Sequence, residues 1–251
     1  MSLRPVPVKT KTIVAVFAFA ALFIAWLGNF TDVDMTLARS MYTDGAFALR
    51  HAWWTEKLSH EYMRRVLIVL GLCAVLPALL DWVRPWQSWS PQFRRRLRVV
   101  ALSAVLVPLV ISVLKQYSFS HCPWDILDFG GDRAYVRLFQ SVPAHMPAGR
   151  CMPAGHASSA LWLVSLAVFW LPQQRRRAWV VALSMLGFSF ALGWIQQLRG
   201  AHFLTHTLWS MWIACAIVTL VHAWIMRPSP LLLFDRVAEA EPGQHTGEGA
   251  G

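Results

Sequence analysis

The chain has 251 residues, of which 56% are apolar and 14% charged, and its formal net charge is +10. Tryptophan and phenylalanine each occur 14 times, and the mean hydropathy is +0.44. This apolar excess excludes a soluble basic domain and indicates an integral membrane protein. The basic residues form short clusters between apolar runs rather than a continuous basic surface, so no nucleic-acid partner is expected.

Six apolar runs approach the length of about 20 residues that a transmembrane helix needs. They are Thr12–Gly28, Val66–Trp82, Val99–Leu114, Ser158–Leu171, Trp179–Ile195 and Leu208–Ile225. The fourth run is short, so we expect its helix to tilt or to extend into its flanks. The first run has no convincing cleavage site and is interpreted as a span rather than a signal peptide. The sequence therefore predicts an all-α polytopic protein with six transmembrane helices.

Clusters of basic residues fall on one side of this six-span topology. These clusters are Arg4 with Lys9 and Lys11, Arg94–Arg96 with Arg98, Arg175–Arg177, and Arg227. By the positive-inside rule that side is cytoplasmic. The long loop from Lys115 to Gly155 then faces the extracytoplasmic side, which in a bacterial inner membrane is the periplasm.

The chain divides into three regions by composition. Residues 1–98 hold two spans and a segment, Phe30–Met63, whose mixed aromatic and charged residues are typical of the membrane interface. We expect this segment to lie along the outer leaflet, where it could cover a site. Residues 99–226 hold the other four spans and the polar motifs. Residues 227–251 lack an apolar pattern and are predicted to form a disordered cytoplasmic tail.

Three polar motifs lie at the outer ends of the later spans. Lys115 ends the third span, the run Pro153–His156 begins the fourth, and Arg199–His206 precedes the sixth. Cations and backbone amides can bind phosphoryl oxygens, and imidazoles can act as nucleophile or acid. These residue types on one membrane face therefore favour chemistry on a phosphate.

Over about Lys115 to Ser210, the motifs resemble those of the type-2 phosphatidic acid phosphatase superfamily. The resemblance implies a six-span phosphatase core that hydrolyses a lipid phosphate through a phosphohistidine, without metal or cofactor. It also implies that Lys115, Gly155 and Arg199 bind the phosphate and that His156 is the general acid. The identity of the lipid and the oligomeric state stay open.

The chain departs from the pattern of this superfamily at the first two motifs. Cys122 stands where the first motif has an arginine, so the site lacks one cation. Ala154 stands where the second motif has a serine, which removes a hydroxyl donor worth about 1.5–3 kcal/mol against a charged group. The missing cation could be supplied from the same loop, by Arg133, Arg137 or Arg150.

The third motif fits in two registers. Aligning Gly200 makes His202 the nucleophile and places His206 at the position of the orienting aspartate and Gln196 at that of the arginine. His206 would then hydrogen-bond to His202 from the same helix face. Aligning Arg199 loosely makes His206 the nucleophile, with Ser210 as its orienting group. We favour His202.

Two features of the long loop bear on the site. A carboxylate from Asp125 or Asp128 could replace the missing orienting aspartate, since both lie on the extracytoplasmic side. Cys122 and Cys151 lie in the same compartment, where disulfides persist. A bond between them would close a loop of about 28 residues, worth roughly 3–4 kcal/mol in the chain-entropy model.

Three alternatives remain at the level of sequence. The same site could transfer phosphate to another lipid, and the lost motif residues allow a non-catalytic lipid-binding protein on a decayed phosphatase fold. A metal-dependent hydrolase is the third, because His156, His202 and His206 resemble a zinc ligand set. This set lacks the helix glutamate that such sites use as base.

Overall fold

The computed structural model describes residues 10–142 and 146–227. Within these ranges the side chains of His60, His156 and Ala157 are outside the description. The predicted tail from residue 228 onward, and Arg4 and Lys9 of the first basic cluster, also lie outside the described residues.

The described residues are mostly helical. Their α-helices are α1 Thr10–Phe30, α2 Val33–Met41, α3 Met63–Val83, α4 Pro91–Gln116, α5 Gly155–Leu161, α6 Arg175–Leu198 and α7 Leu204–Ile225. A π-helix, Trp54–Tyr62, leads into α3, and a 3₁₀-helix, Trp162–Trp170, continues α5. Short 3₁₀ turns form at Pro123–Asp125 and Leu127–Phe129, and β1 Tyr42–Thr43 pairs antiparallel with β2 Ala46–Phe47.

Five helices are long and apolar enough to cross a membrane: α1, the continuous helix Trp54–Val83, α4, α6 and α7. The all-α prediction is confirmed, but the fourth predicted span falls within a shorter apolar helix, Ser158–Trp170. Seven α-helical and nine 3₁₀ residues from Gly155 to Trp170 extend about 28 Å, because a 3₁₀-helix rises about 2 Å per residue. This length approaches the hydrocarbon thickness of about 30 Å, and the sixth span stays a prediction.

The basic end of the bundle is fixed by one buried acid. Ser90 caps α4, accepting a hydrogen bond from the Phe93 amide at 3.2 Å, and Pro91 occupies the first helical position. Asp81 in the last turns of α3 is 2% exposed and lies 3.2 Å from Arg94 and 3.5 Å from Arg98. Part of this basic cluster therefore neutralises a buried carboxylate and joins α3 to α4.

Helix α4 lies at the centre of the bundle. It packs against α3, α5 and α7, and Val99, Val107 and Ile111 are fully buried in the main core. On the outer helices, by contrast, Phe19, Trp179 and Leu220 are each more than half exposed. Such an apolar exterior is typical of helices surrounded by lipid rather than water.

The segment predicted to lie along the outer leaflet folds over the ends of α6 and α7, and its position relative to the leaflet stays a prediction. Its helix α2 contacts both helices. Met35 and Phe47 form a second core with Phe129 of the long loop and Phe203. All four side chains are buried, so this segment covers the outer end of the bundle.

Candidate active site

The second and third motifs are joined through their backbones at the outer end of the bundle. The Ala154 amide donates to the His206 carbonyl at 3.1 Å. The hydroxyl of Ser210 donates to the Ala154 carbonyl at 3.1 Å and to the His206 carbonyl at 2.9 Å. Ser210 therefore fixes the loop before α5 against α7, rather than bonding to the His206 ring as one register suggested.

Lys115 at the end of α4 lies beside the start of α5. Its Nζ is 3.6 Å from the position that a β-carbon on Gly155 would occupy, so the ammonium faces bare backbone. Two of the predicted phosphate-binding residues are thus brought together. His156 follows in α5, and its side chain is outside the description.

The side chain of Arg199 extends to Gln196, the residue that stands where the superfamily pattern has its arginine. Its guanidinium Nη1 donates to Oε1 of Gln196 at 3.0 Å, and its Nε donates to the Arg50 carbonyl at 3.1 Å. The side chain is largely buried, and burial lowers the pKa of Arg199. Arginine nevertheless stays protonated at neutral pH. A cation is therefore present beside Gln196, supplied from three residues along the chain.

The two histidines of the third motif are buried and lie nearly perpendicular, with ring centroids 5.9 Å apart. Nε2 of His206 lies 2.9 Å from the hydroxyl of Ser120, and Nδ1 of His206 has no hydrogen-bond partner among the described residues. The hydrogen bond expected between His202 and His206 is therefore not formed. The long loop, through Ser120, holds His206 instead.

Cys122 and Cys151 form the expected disulfide, with Cα atoms 5.3 Å apart. Cys151 is fully buried, and its Sγ lies 3.4 Å from Nδ1 of His202. The bond therefore joins the first motif to the second and also contacts a histidine of the third.

The arginines expected to replace the missing cation are engaged elsewhere or exposed. Arg133 pairs with its neighbour Asp132 at 3.1 Å, and Arg150 is exposed. Arg137 donates to the carbonyls of Asn29 and Thr31, which ties the loop to the end of α1.

A different arginine lies near the site, which the sequence did not indicate. Arg64 in the first turn of α3 lines a small cavity together with Ser159 of α5 and Gln196 of α6. Since Arg199 also bonds to Gln196, two cations flank the same side chain. Arg64 lies 51 residues before Lys115, the nearest of the motifs, so no local spacing could have found it.

Of the two carboxylates proposed to orient the nucleophile, that of Asp128 is directed to another partner, and Asp125 makes contacts through its backbone. Asp128 lies 3.6 Å from Arg39. Asp125 holds the turn of the long loop through its backbone, with its amide bonded to the Cys122 carbonyl and its carbonyl accepting from the Arg133 amide. No described contact joins either one to the histidines.

The carboxylate that reaches the third motif is Asp34, which sequence reasoning missed. It accepts hydrogen bonds from the amide of Thr205, at 3.0 Å, and from the Thr205 hydroxyl. Asp34 is 4% exposed, and this burial raises the pKa of its carboxyl. It lines a cavity with Ser120, Tyr135 and His206. Burial also raises the pKa of Tyr135 to about 12, so its phenol stays neutral.

One cluster in the described residues has the spacing of a metal site. Ligand atoms of Cys122, Cys151 and His202 lie within 4.8 Å of one another. Both sulfurs are joined in the disulfide, so neither is available as a thiolate. The zinc set considered from the sequence gains no support from His206, whose Nε2 faces Ser120.

Helices long and apolar enough to cross a membrane bring a lysine, an arginine and two buried histidines to one end of the bundle, as expected for an integral membrane protein. A family model described as the PAP2 superfamily matches residues 96–229, more than half of the chain. The chain belongs to this superfamily, which indicates a phosphatase-type activity. Comparisons with curated proteins and with solved structures give no match.

Proposed function

We propose that the protein hydrolyses a phosphomonoester or pyrophosphate of a lipid through a phosphohistidine intermediate. The site faces the extracytoplasmic side, which in a bacterial inner membrane is the periplasm. One observation carries the proposal: the three motifs, far apart in sequence, meet at one end of the bundle. Lys115 lies against Gly155, and Ala154 is hydrogen-bonded to His206.

The binding half of the mechanism uses fixed positive charge. Lys115, Arg199 and the amide of Gly155 hold the phosphoryl oxygens. Because these groups are positioned before the reaction, they stabilise the charge that develops in the transition state without reorganising. Arg199 is especially well fixed, since both Gln196 and Arg50 accept its hydrogen bonds.

The chemical half assigns separate roles to two histidines. His202 attacks phosphorus, forming the phosphohistidine, while His156 protonates the leaving oxygen. Water then attacks the intermediate, with His156 acting as base. His206 is the less suitable nucleophile, because Ser120 engages its Nε2 and its Nδ1 is buried.

A lipid substrate is supported by the position of the site. Lys115 is one residue from the end of α4, where a membrane-crossing helix meets the head-group region. Beside it Tyr117 and Phe119 are exposed, and Phe139 of the same loop is 73% exposed. Exposed aromatic residues at this level are typical of the membrane interface. A lipid can thus place its phosphate at Lys115 while its chains stay in the bilayer.

The test is phosphate release by the purified protein from a panel of lipid phosphates in detergent. We expect release from at least one lipid, loss of release in His156→Ala and in His202→Ala, and full activity in His222→Ala near the far end of α7. Phosphate recovered on an acceptor lipid instead of in solution would identify a transferase. No turnover of any lipid by the wild type would favour the non-catalytic alternative.

A further inference from the structure

The disulfide and a histidine of the third motif are in direct contact. Sγ of Cys151 lies 3.4 Å from Nδ1 of His202 and 3.2 Å from the carbonyl oxygen of Ala201. All of these groups are buried. In sequence, His206 takes the position of the aspartate that orients the nucleophile in the superfamily pattern, but it makes no hydrogen bond to His202.

The chemistry of a disulfide determines which of the two atoms, Sγ of Cys151 or Nδ1 of His202, donates the hydrogen bond. A disulfide sulfur carries no hydrogen, so it can only accept. In a hydrogen bond between these two atoms the hydrogen is therefore on Nδ1 of His202. In a neutral imidazole only one nitrogen carries hydrogen. Nε2 of His202 then carries no hydrogen, and its lone pair is the one that attack on phosphorus requires.

We propose that the Cys122–Cys151 disulfide is the positioning group that holds His202 in its nucleophilic tautomer and orientation. This inference rests on the proposed function, with His202 as nucleophile. Cys151 does not touch the substrate and acts only through His202. Orientation of a histidine by a disulfide sulfur in place of a carboxylate accounts for a site that lacks the aspartate.

The sulfur is rigidly held, as a positioning group must be. The Cys151 amide donates to the Ser120 carbonyl at 3.0 Å, and the Cys122 carbonyl accepts from the Asp125 amide at 2.9 Å. Ser120 also contacts His206. Both ends of the disulfide are therefore anchored in the long loop that carries the first motif.

The same contact persists through the chemical step. The Nε2 electron pair forms the bond to phosphorus, and the ester bond breaks with its electron pair on the leaving oxygen, which takes a proton from the general acid. The ring becomes cationic while Nδ1 keeps its hydrogen. The lone pairs of the Cys151 sulfur face that hydrogen, so the contact strengthens as charge develops.

Reduction should weaken this arrangement. A thiol reductant supplies two electrons and two protons, is itself oxidised to a disulfide, and converts Cys122 and Cys151 to separate thiols. The Cys151 side chain can then rotate and present a hydrogen instead of a lone pair. His202 loses its fixed tautomer, and we expect kcat to fall about tenfold with little change in KM, the loss of one neutral hydrogen bond.

The decisive test reads the tautomer and needs no turnover. Histidine labelled with ¹⁵N is incorporated, and the His202 signals are identified by their absence in His202→Gln. In the oxidised protein at neutral pH we expect the hydrogen on Nδ1, and after reduction a mixture of both tautomers. A hydrogen on Nε2 in the oxidised protein, or a tautomer unaffected by reduction, would overturn the proposal even if the protein is an active phosphatase.

A pair of variants repeats the effect of reduction without a reductant. Cys122→Ala and Cys151→Ala both abolish the disulfide, and Cys122→Ala leaves Cys151 as a thiol, as reduction does. We expect Cys122→Ala to match the reduced protein, with mixed tautomers and a lower kcat, and Cys151→Ala, which has no sulfur beside His202, to be at least as impaired. Equal loss of kcat with an unchanged tautomer in both variants would mean that the cross-link serves stability alone. If the wild type has no phosphatase activity, the proposed function fails, and the tautomer measurement still decides whether the disulfide fixes the His202 ring.

Discussion

The carboxylate of Asp34 accepts hydrogen bonds from both the backbone amide and the hydroxyl of Thr205, a residue 171 positions further along the chain. Thr205 is in the first turn of α7, whose amides have no partner within the helix. Asp34 therefore caps α7. This helix carries His206 and begins two residues after His202. Asp34 ties the covering segment to the third motif.

Asp34 should make stability depend on pH. Burial raises its pKa above the ordinary 3.8, so the folded state keeps this proton to a higher pH than the unfolded state. The stabilising contribution is full below pH 3.8 and is lost as pH rises through the folded pKa. Thermal unfolding in detergent across this range should show wild type losing stability relative to Asp34→Asn as pH rises.

Asp34→Ala provides the comparison for the cap itself. Loss of a helix cap should destabilise the protein by about 1–2 kcal/mol at every pH, whereas Asp34→Asn keeps an acceptor for Thr205. A constant difference in unfolding midpoint between wild type and Asp34→Asn across the acidic range would show that Asp34 ionises freely when folded.

Arg199 is expected to bind the phosphate in place of the arginine that the superfamily pattern has at the position of Gln196. Arg199→Ala should reduce kcat/KM by about 10²–10³, the effect of removing one charged donor from a transition-state site. Since the Arg199 guanidinium already contacts Gln196, the double variant Gln196→Arg/Arg199→Ala should recover part of this loss. Steady-state kinetics on the best lipid phosphate would measure both. No recovery in the double variant would place the functional cation elsewhere.

Arg64 is expected to supply part of the charge missing at Cys122, because it shares a cavity with Ser159 and Gln196. Arg64→Ala should raise KM about tenfold or lower kcat by a similar factor, in line with loss of an exposed ionic contact. The neighbour Arg65, whose guanidinium lies over the ring of Tyr62, gives a matched control. Equal kinetics for Arg64→Ala and Arg65→Ala would contradict this assignment.

Ser120 should contribute to stability more than to catalysis. Its hydroxyl is 2.9 Å from Nε2 of the buried His206, so Ser120→Ala leaves that nitrogen unpaired at a cost of about 1–3 kcal/mol. We expect a lower unfolding midpoint with kcat within a few-fold of wild type. A loss of turnover as large as that of His202→Ala would instead favour His206 as nucleophile.

The apolar runs were readable from the sequence because a span must present about 20 apolar residues whatever its neighbours are. Thr12–Gly28 and Leu208–Ile225 differ from α1 and α7 by a few residues at their ends. The fourth run was harder to interpret, since composition alone does not say that Trp162–Trp170 forms the longer 3₁₀ geometry.

Some residues of the candidate site could likewise be predicted from the sequence, and others could not. The disulfide pair is confirmed, and Lys115, Gly155 and Arg199 could be predicted as candidates because they lie in motifs with recognisable spacing. Asp34 and Arg64 were missed because their partners are far along the chain and only packing brings them together. The interaction expected between His202 and His206 was wrong because helical spacing sets which side chains share a face but not which competing partner, here Ser120, takes the hydrogen bond.

The central claim is that His202 carries the phosphoryl group during turnover. The most direct measurement is rapid acid-free quenching of the enzyme with a ³²P-labelled lipid phosphate, followed by peptide mapping of the labelled residue. The account predicts an acid-labile, base-stable label on His202, absent in His202→Ala and present, with slower formation, in His156→Ala. A label on His206, or turnover without any labelled histidine, would contradict it.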